Sequence, residues 1–375
     1  MPAAYDGVPM DGRHIARWRM HNLRLSGPPF ESPADVVQWL CAVQSQDYGP
    51  AKWSVAERTR SFTDAAMDKA FADGDILRTH VLRPTWHFVA PADIRWMLEL
   101  TAPRVHALNA YMYRQLELDE KVLAKCTTLL LAALQGGNQL TRKELESIFE
   151  KNGIVTKGFR VAYILMNAEL NGVVCSGALK GRQHTYALVE ERAPQAISLT
   201  GDEALAELTL RYFTGHGPAT ANDLKAWSSL SASDIKRGLE VVGSQLDRES
   251  VQGVTYWFAA AAPQPEVASP KIHLLQGYDE YIMGYRESRY VLDVSGAARS
   301  PSRGKTPFNG IIILDGQVAG HWKRTLKKSS VTIEAALYAP LDKAQTGALQ
   351  ASADNYGPVP WRDRHRRADR VVRRV

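Results

Sequence analysis

Residues 139–153, QLTRKELESIFEKNG, decide how the rest of the chain is read. Thr141 stands three residues before Glu144, the spacing at which a hydroxyl and a carboxylate close a helix N-terminus on each other's backbone amides. Upstream, LDEKVLAKCTTLLLAALQ (118–135) has helical apolar spacing and stops at Gly136-Gly137. Downstream, GFRVAYILMNAELNG (158–172) reads as a third helix, and VVCSGALKGRQHTYALV (173–189) alternates around Gly181 as a two-stranded hairpin. Three helices and then a hairpin is the order of a winged helix, whose second and third helices form a helix-turn-helix and whose hairpin is the wing.

The order returns further on, in DEALAELTLRYFTGHG (202–217), PATANDLKAWSSL (218–230), SASDIKRGLEVVGSQL (231–246) and the hairpin DRESVQGVTYWFAA (247–260). Thr220 with Asp223, and Ser231 with Asp234, mark two of its helix starts. An earlier and less regular copy has helices in SPADVVQWLCAVQSQ (32–46) and TDAAMDKAFADG (63–74) and a hairpin in ILRTHVLRPTWHFVA (76–90). After the Pro-rich break 261–270, short strands take over: KIHLLQGYDEYIMGY, GIIILDGQVAGHW and SSVTIEAAL, with a turn at Asp315-Gly316 and then a short helix. The expected fold is therefore α+β. A first winged helix falls in 1–115, a second in 116–195, a third in 196–262, a β-rich unit in 270–357 and an Arg-rich, flexible tail in 358–375.

The 375 residues, 45% apolar and 23% charged, suit a soluble protein of several modules. Cys41, Cys126 and Cys175 lie far apart, with no metal-ligand spacing, so neither a metal nor a disulfide framework is expected, and a reducing cytoplasm suits them. The N-terminus lacks an apolar leader core and the longest aliphatic run, 129–134, is too short to span a bilayer. Of the formal charge of +6, the last fifteen residues carry +5, with seven Arg against two Asp, so net charge says little about the folded body.

Recognition helices poor in Arg, Asn and Gln suggest a scaffold that grips a duplex by backbone and shape. The polar run of AVQSQDYGP (42–50) offers Gln44, Gln46 and Asp47. Two glutamines can hold and orient one water, although they can equally cap the helix or bond the turn into Gly49-Pro50. In the hairpin RTHVLRPTWHFVA, Arg83, Trp86 and His87 are candidate DNA contacts or parts of an aromatic core strand. GYDEYIMGYRESRY (277–290), with Asp279, Glu280, Arg286 and Arg289, reads as a cleft lining or a solvated hairpin. RGKT (303–306) fails as a phosphate-binding loop because Arg299 stands where the first Gly belongs.

Taken together, the tandem winged helices, AVQSQDYGPAKWSVAER (42–58), ILRTHVLRPTWHFVAP (76–91) and LLQGYDEYIMGYRES (274–288) resemble the winged-helix DNA glycosylases of the AlkZ/YcaQ type, from about Pro29 to Gly357. In that family a Gln-x-Gln or Gln-x-Asp motif positions the water that attacks the sugar. Gln44 and Gln46 match the Gln-x-Gln form, with Ser45 where an aliphatic residue is usual. The resemblance implies three modules curving in a C around double-stranded DNA, with the motif on the concave side and no cofactor. It implies excision of cationic N7-alkylated guanines, bulky or crosslinked, in repair or in self-resistance to a genotoxin. The motif contains no lysine, so a monofunctional enzyme is expected, acting as a monomer on bacterial DNA in the cytoplasm. Arg286, Lys305, Lys323, Arg324, Lys327 and Lys328 are then candidate phosphate contacts. The competing readings are a winged-helix regulator or architectural protein without chemistry, and an enzyme acting on a small molecule.

Overall fold

The computed structural model describes residues 10–260, 269–297, 310–326, 330–356 and 369–374. Its first region runs α1 (Gly12–Asn22), α2 (Pro33–Leu40), β1 (Val43–Gln44), α3 (Tyr48–Ala56), α4 (Asp64–Asp73), β2 (Leu77–His80), β3 (Trp86–Val89) and the long α5 (Ile94–Gln115). Residues 48–56 form a helix that the sequence pattern hid, because Gly49-Pro50 reads as a turn. Proline is tolerated within a first helical turn, where amides have no intrahelical acceptor. α3 is fastened to α4 by the nearly buried Lys52, 2.5 Å from Asp64 and 2.9 Å from Asp68.

The second region repeats the order in α6 (Glu120–Leu134), β4 (Leu140–Thr141), α7 (Arg142–Lys151), α8 (Arg160–Leu170), β5 (Val174–Ser176) and β6 (Thr185–Leu188), followed by the short α9 (Val189–Arg192). The Thr141–Glu144 box forms as its spacing requires. The third has α10 (Gly201–His216), α11 (Ala221–Ser228) and α12 (Ala232–Val242), with both expected boxes closed, then β7 (Leu246–Val251) and β8 (Val254–Ala259).

A shared topological detail ties the three together. In the first region β1 pairs with β3, giving sheet order β1-β3-β2; in the second β4 pairs with β6, giving β4-β6-β5. In the third, Ala219 makes an antiparallel bridge to Trp257 of β8. In each case the chain just before the second helix adds to the far strand of the hairpin.

The C-terminal sheet holds β9 (Ile272–Leu275), β10 (Gly310–Leu314), β11 (Gln317–Leu326) and β12 (Ser330–Leu337). α13 (Glu280–Met283) and a 3-10 segment (Glu287–Asp293) follow β9, and α14 (Lys343–Tyr356) follows β12. At the edge, β13 (Asp369–Arg374) runs parallel to β12, Ser330 beside Asp369. The tail was expected to project as a flexible arm. Of it, residues 369–374 instead pair with the open backbone edge of β12, and 358–368 lie outside the described residues.

One apolar core links the first and third regions to Tyr281 and Tyr285. A second lies within the second region around Phe149 and Leu165. A third joins Trp53 and Ala56 of α3 to the C-terminal sheet and α14. Across that last junction Trp53 donates from Nε1 to the Leu274 carbonyl at 2.6 Å, and the fully buried Arg58 and Asp279 pair at 2.8 Å.

Candidate active site

The glutamine stretch was expected to end a helix running to Gln46. That helix stops at Leu40, because Cys41 takes φ of 65°, where an L-residue cannot continue a right-handed turn. Val43 and Gln44 then gain ladder bonds beside Phe88 and His87. Ser45 is fully buried. Its amide donates to the Trp86 carbonyl at 2.8 Å, and its carbonyl accepts from Arg78 Nε and Nη2 at 3.1 and 3.0 Å. The Arg78 guanidinium lies 4.4 Å from the Trp86 ring centroid, and burial draws its pKa down to about 10.

This clamp presents Gln46 and Asp47 to solvent. Gln46 Oε1 accepts from the Trp86 amide at 3.3 Å. Asp47 is the N-cap residue of α3 yet its carboxylate makes no capping bond. The third helical residue is Pro50, which has no N–H, so one of the two amides an N-cap oxygen can engage is missing. Neither glutamine caps a helix, so that alternative is set aside.

Gln46, Asp47 and Pro50 line a cavity of about 450 Å³ together with Lys323 and Arg324 of β11. Lys323 is an exposed residue 3.0 Å from Glu334, an ion pair of small net stability that a phosphate can displace. Arg324 is half-buried, donates to the Tyr356 hydroxyl and lies 5.6 Å from that ring. Two residues expected from sequence to touch DNA thus share a cavity with the glutamine motif. Lys305, Lys327 and Lys328 lie outside the described residues. Arg286 is exposed but lines a different groove, with Arg104 and Lys225.

Gln44 points inward and is 3% exposed. Its amide N–H donates to Glu280 Oε1 at 2.9 Å, and its side-chain Oε1 accepts from Arg83 Nη2 at 3.1 Å. Arg83 also donates to the Trp227 carbonyl and His87 Nε2, both at 3.0 Å. His87 is fully buried, and its Nδ1 donates to the Thr85 carbonyl at 2.9 Å. Burial and the adjacent guanidinium hold its pKa down to about 3, so the ring is neutral and Nε2 is an acceptor.

Arg83 and His87 were expected as DNA contacts. His87 has no exposed surface, as its core-strand alternative has it, and the 81–85 connection, with Leu82 at φ of 63°, turns the half-buried Arg83 toward the motif. Trp86 is half-buried, donating from Nε1 to Glu169 Oε1 at 3.1 Å.

Glu280 completes the network. It is fully buried, and its second oxygen accepts from Trp227 Nε1 at 2.9 Å, with His216 Nε2 at 3.5 Å. Burial pushes its pKa up, but His216, Arg83 and the Gln44 amide outweigh that and bring it down to about 2. The segment 277–290 is therefore no solvated hairpin: Gly277 and Tyr278 line the cavity of Gln46 and Asp47, and Arg286 lines the other groove. Asp279 and Glu280 are interior anions, a role that two acids placed among Tyr and Ile hint at but do not assign. Among the described residues, no group of three or more His, Cys, Asp or Glu is arranged to hold a metal ion, and no helix is long and apolar enough to cross a membrane.

An exposed Gln–Asp pair at a helix start thus shares one cavity with two cations, an arrangement that suits an anionic ligand. Comparison with known proteins points the same way. The family model for the AlkZ-like DNA glycosylases matches residues 37–359. An interstrand DNA cross-link repair glycosylase of Streptomyces sahachiroi is 25% identical over 324 residues, which are 83% of this chain and 87% of that protein. The solved structure of Streptomyces sahachiroi DNA glycosylase AlkZ has the same fold, with a TM-score of 0.78 at 23% identity over 98% of this chain and all of that one. The match across 37–359 sets aside the regulator without chemistry, and the chain belongs to the AlkZ-like family as a DNA glycosylase.

Proposed function

We propose that this chain is a monofunctional repair glycosylase that hydrolyses the N-glycosidic bond of cationic N7-alkylated guanines, including bulky and crosslinked ones. On this reading it acts as a monomer on the bacterial nucleoid. The three repeats of helices and hairpin are winged helices, and the duplex lies along their common concave side.

The observation that carries the reading is the exposed Gln46–Asp47 pair facing Lys323 and Arg324 across one cavity. An N7-alkylguanine already bears positive charge on its imidazolium ring, so its departure needs no acid. What remains is to place water behind C1′ and to stabilise an oxocarbenium-like transition state. Gln46 accepts a hydrogen bond from the attacking water through the free lone pair of Oε1. As water oxygen bonds to C1′, the C1′–N9 pair passes to the base and neutralises it, and the water's proton leaves to solvent. Asp47, freed from capping, stabilises the developing positive charge, while Lys323 and Arg324 hold flanking phosphates.

The test is excision from a labelled duplex with one N7-methylguanine, read as strand cleavage after alkali, beside a duplex with a bulky N7 adduct. Wild type releases the base and Gln46→Ala loses at least roughly a hundredfold in single-turnover rate with duplex binding kept. Release from neither duplex by wild type overturns the reading, as does undiminished activity in Gln46→Ala.

A further inference from the structure

Gln44 and Trp227 are each held twice, by the same two residues and in opposite senses. Glu280 accepts from the Gln44 backbone amide and the Trp227 indole, both at 2.9 Å. Arg83 donates to the Gln44 side-chain oxygen at 3.1 Å and to the Trp227 carbonyl at 3.0 Å. Thus β1, the turn after β2, α11 and the segment after β9 meet at one glutamine.

The chemistry of Arg83 fixes which way the Gln44 amide points. A guanidinium has donors only, so the end of the amide that faces it is the oxygen. The remaining Arg83 contacts lock the fork: a neutral His87 accepts at Nε2 because its own Nδ1–H is given to Thr85. Gln44 Nε2 is left with no acceptor among the described residues, and it is not one of the polar atoms sealed from solvent.

From this geometry we infer that Arg83 is a positioning residue that commits Gln44 to act as a hydrogen-bond donor to an oxygen of the substrate's sugar or phosphate. The attacking water is then left to Gln46 alone, and Glu280 fixes the Gln44 backbone from beneath. The two glutamines are unequal partners, one giving a proton to a hydrogen bond and one receiving it. This assignment rests on the glycosylase reading above.

The deciding variant is Gln44→Glu. It keeps an oxygen toward Arg83, and so keeps the buried contact, but replaces the amide donor, unpartnered among the described residues, by an acceptor. We expect its single-turnover rate at saturating enzyme to fall roughly tenfold or more, to the level of Gln44→Ala, with unfolding temperature and duplex binding preserved. Arg83→Met, checked against Arg83→Lys in case the former is unfolded, is expected to slow the wild type roughly tenfold. It should add nothing in the Gln44→Ala background, because Arg83 acts through that side chain. A Gln44→Glu enzyme as fast as wild type overturns the donor assignment. Arg83 and Gln44 losses that multiply would show that Arg83 acts elsewhere. If Gln44→Ala is itself unimpaired while Gln46→Ala is dead, the inference falls and the glycosylase reading stands; if both excise normally, both fall.

Discussion

The junction between β1 and α3 and the junction between β4 and α7 occupy the same place in the same topology, and they use their polar residues in opposite ways. At the second, Thr141 and Glu144 close on each other's backbone amides and the helix start is finished from within. The third region does the same with Thr220 and Asp223. At the first, Pro50 removes one of the two amides that an N-cap Asp47 could engage, and Arg78 fixes the Ser45 carbonyl from outside the junction. Polar side chains that close the helix start in two repeats are left without a capping bond in the other.

The largest expected contrast is in rate. Gln46→Ala should excise at least roughly a hundredfold more slowly at an unchanged unfolding temperature, since the side chain is exposed and holds only a 3.3 Å contact. Earlier melting with normal excision would make this junction structural like the others. Asp47→Asn should follow, with a loss of roughly tenfold and no melting change.

Thr141→Ala is the mirror experiment. It should cost about 1 kcal/mol, or about 2–4 °C in Tm, with excision untouched. A slowed reaction there would mean that the second repeat also faces the lesion.

Acid probes the network behind the motif. His87 titrates near 3 folded against 6.5 free, so the unfolded chain takes up its proton first. The stability that His87 contributes is full above pH 6.5 and is lost as pH falls toward 3. Glu280 titrates near 2 against 4.5 free, so its contribution is full above pH 4.5 and is lost as pH falls toward 2. Melting followed by circular dichroism should therefore begin to fall below pH 6.5 and steepen below 4.5. A rise in Tm on acidification would contradict the assigned charge states.

The smallest effect concerns Ser45, whose buried hydroxyl has no hydrogen-bond partner among the described residues. Ser45→Ala should leave excision unchanged and hold or raise Tm, since an unmet buried hydroxyl costs about 1–3 kcal/mol. A clear drop in Tm would reveal a partner for that oxygen.

Local signals were legible and long-range ones were not. The hydroxyl–carboxylate spacings at Thr141, Thr220 and Ser231 each appear as closed boxes, because capping is decided within four residues. The glutamine motif was legible as a run of four polar residues, Gln44 to Asp47, at the end of an apolar pattern. Its orientation was not, since β1 is two residues long and exists only because β3 lies beside it. Arg83 read as a candidate DNA contact because strand alternation was extended through a turn, whereas His87 was left between a DNA contact and a core strand. Glu280 stands 236 residues from the amide it accepts, a separation over which no sequence period operates.

The way α3 is fastened sets what the cavity is able to hold. Lys52 ties it to α4 on one side, while Trp53 and Arg58 tie it to Leu274 and Asp279 on the other, all with little or no exposure. The wall bearing Gln46 and the wall bearing Arg324 are consequently two faces of one packed block, with Trp53 and Tyr356 in edge contact between them at 4.6 Å. On the proposed reading, the gap that admits a lesion is then a dimension of the core. Redesign toward a larger adduct has to begin with side-chain volume at those two aromatics, and lengthening a loop would not substitute for it.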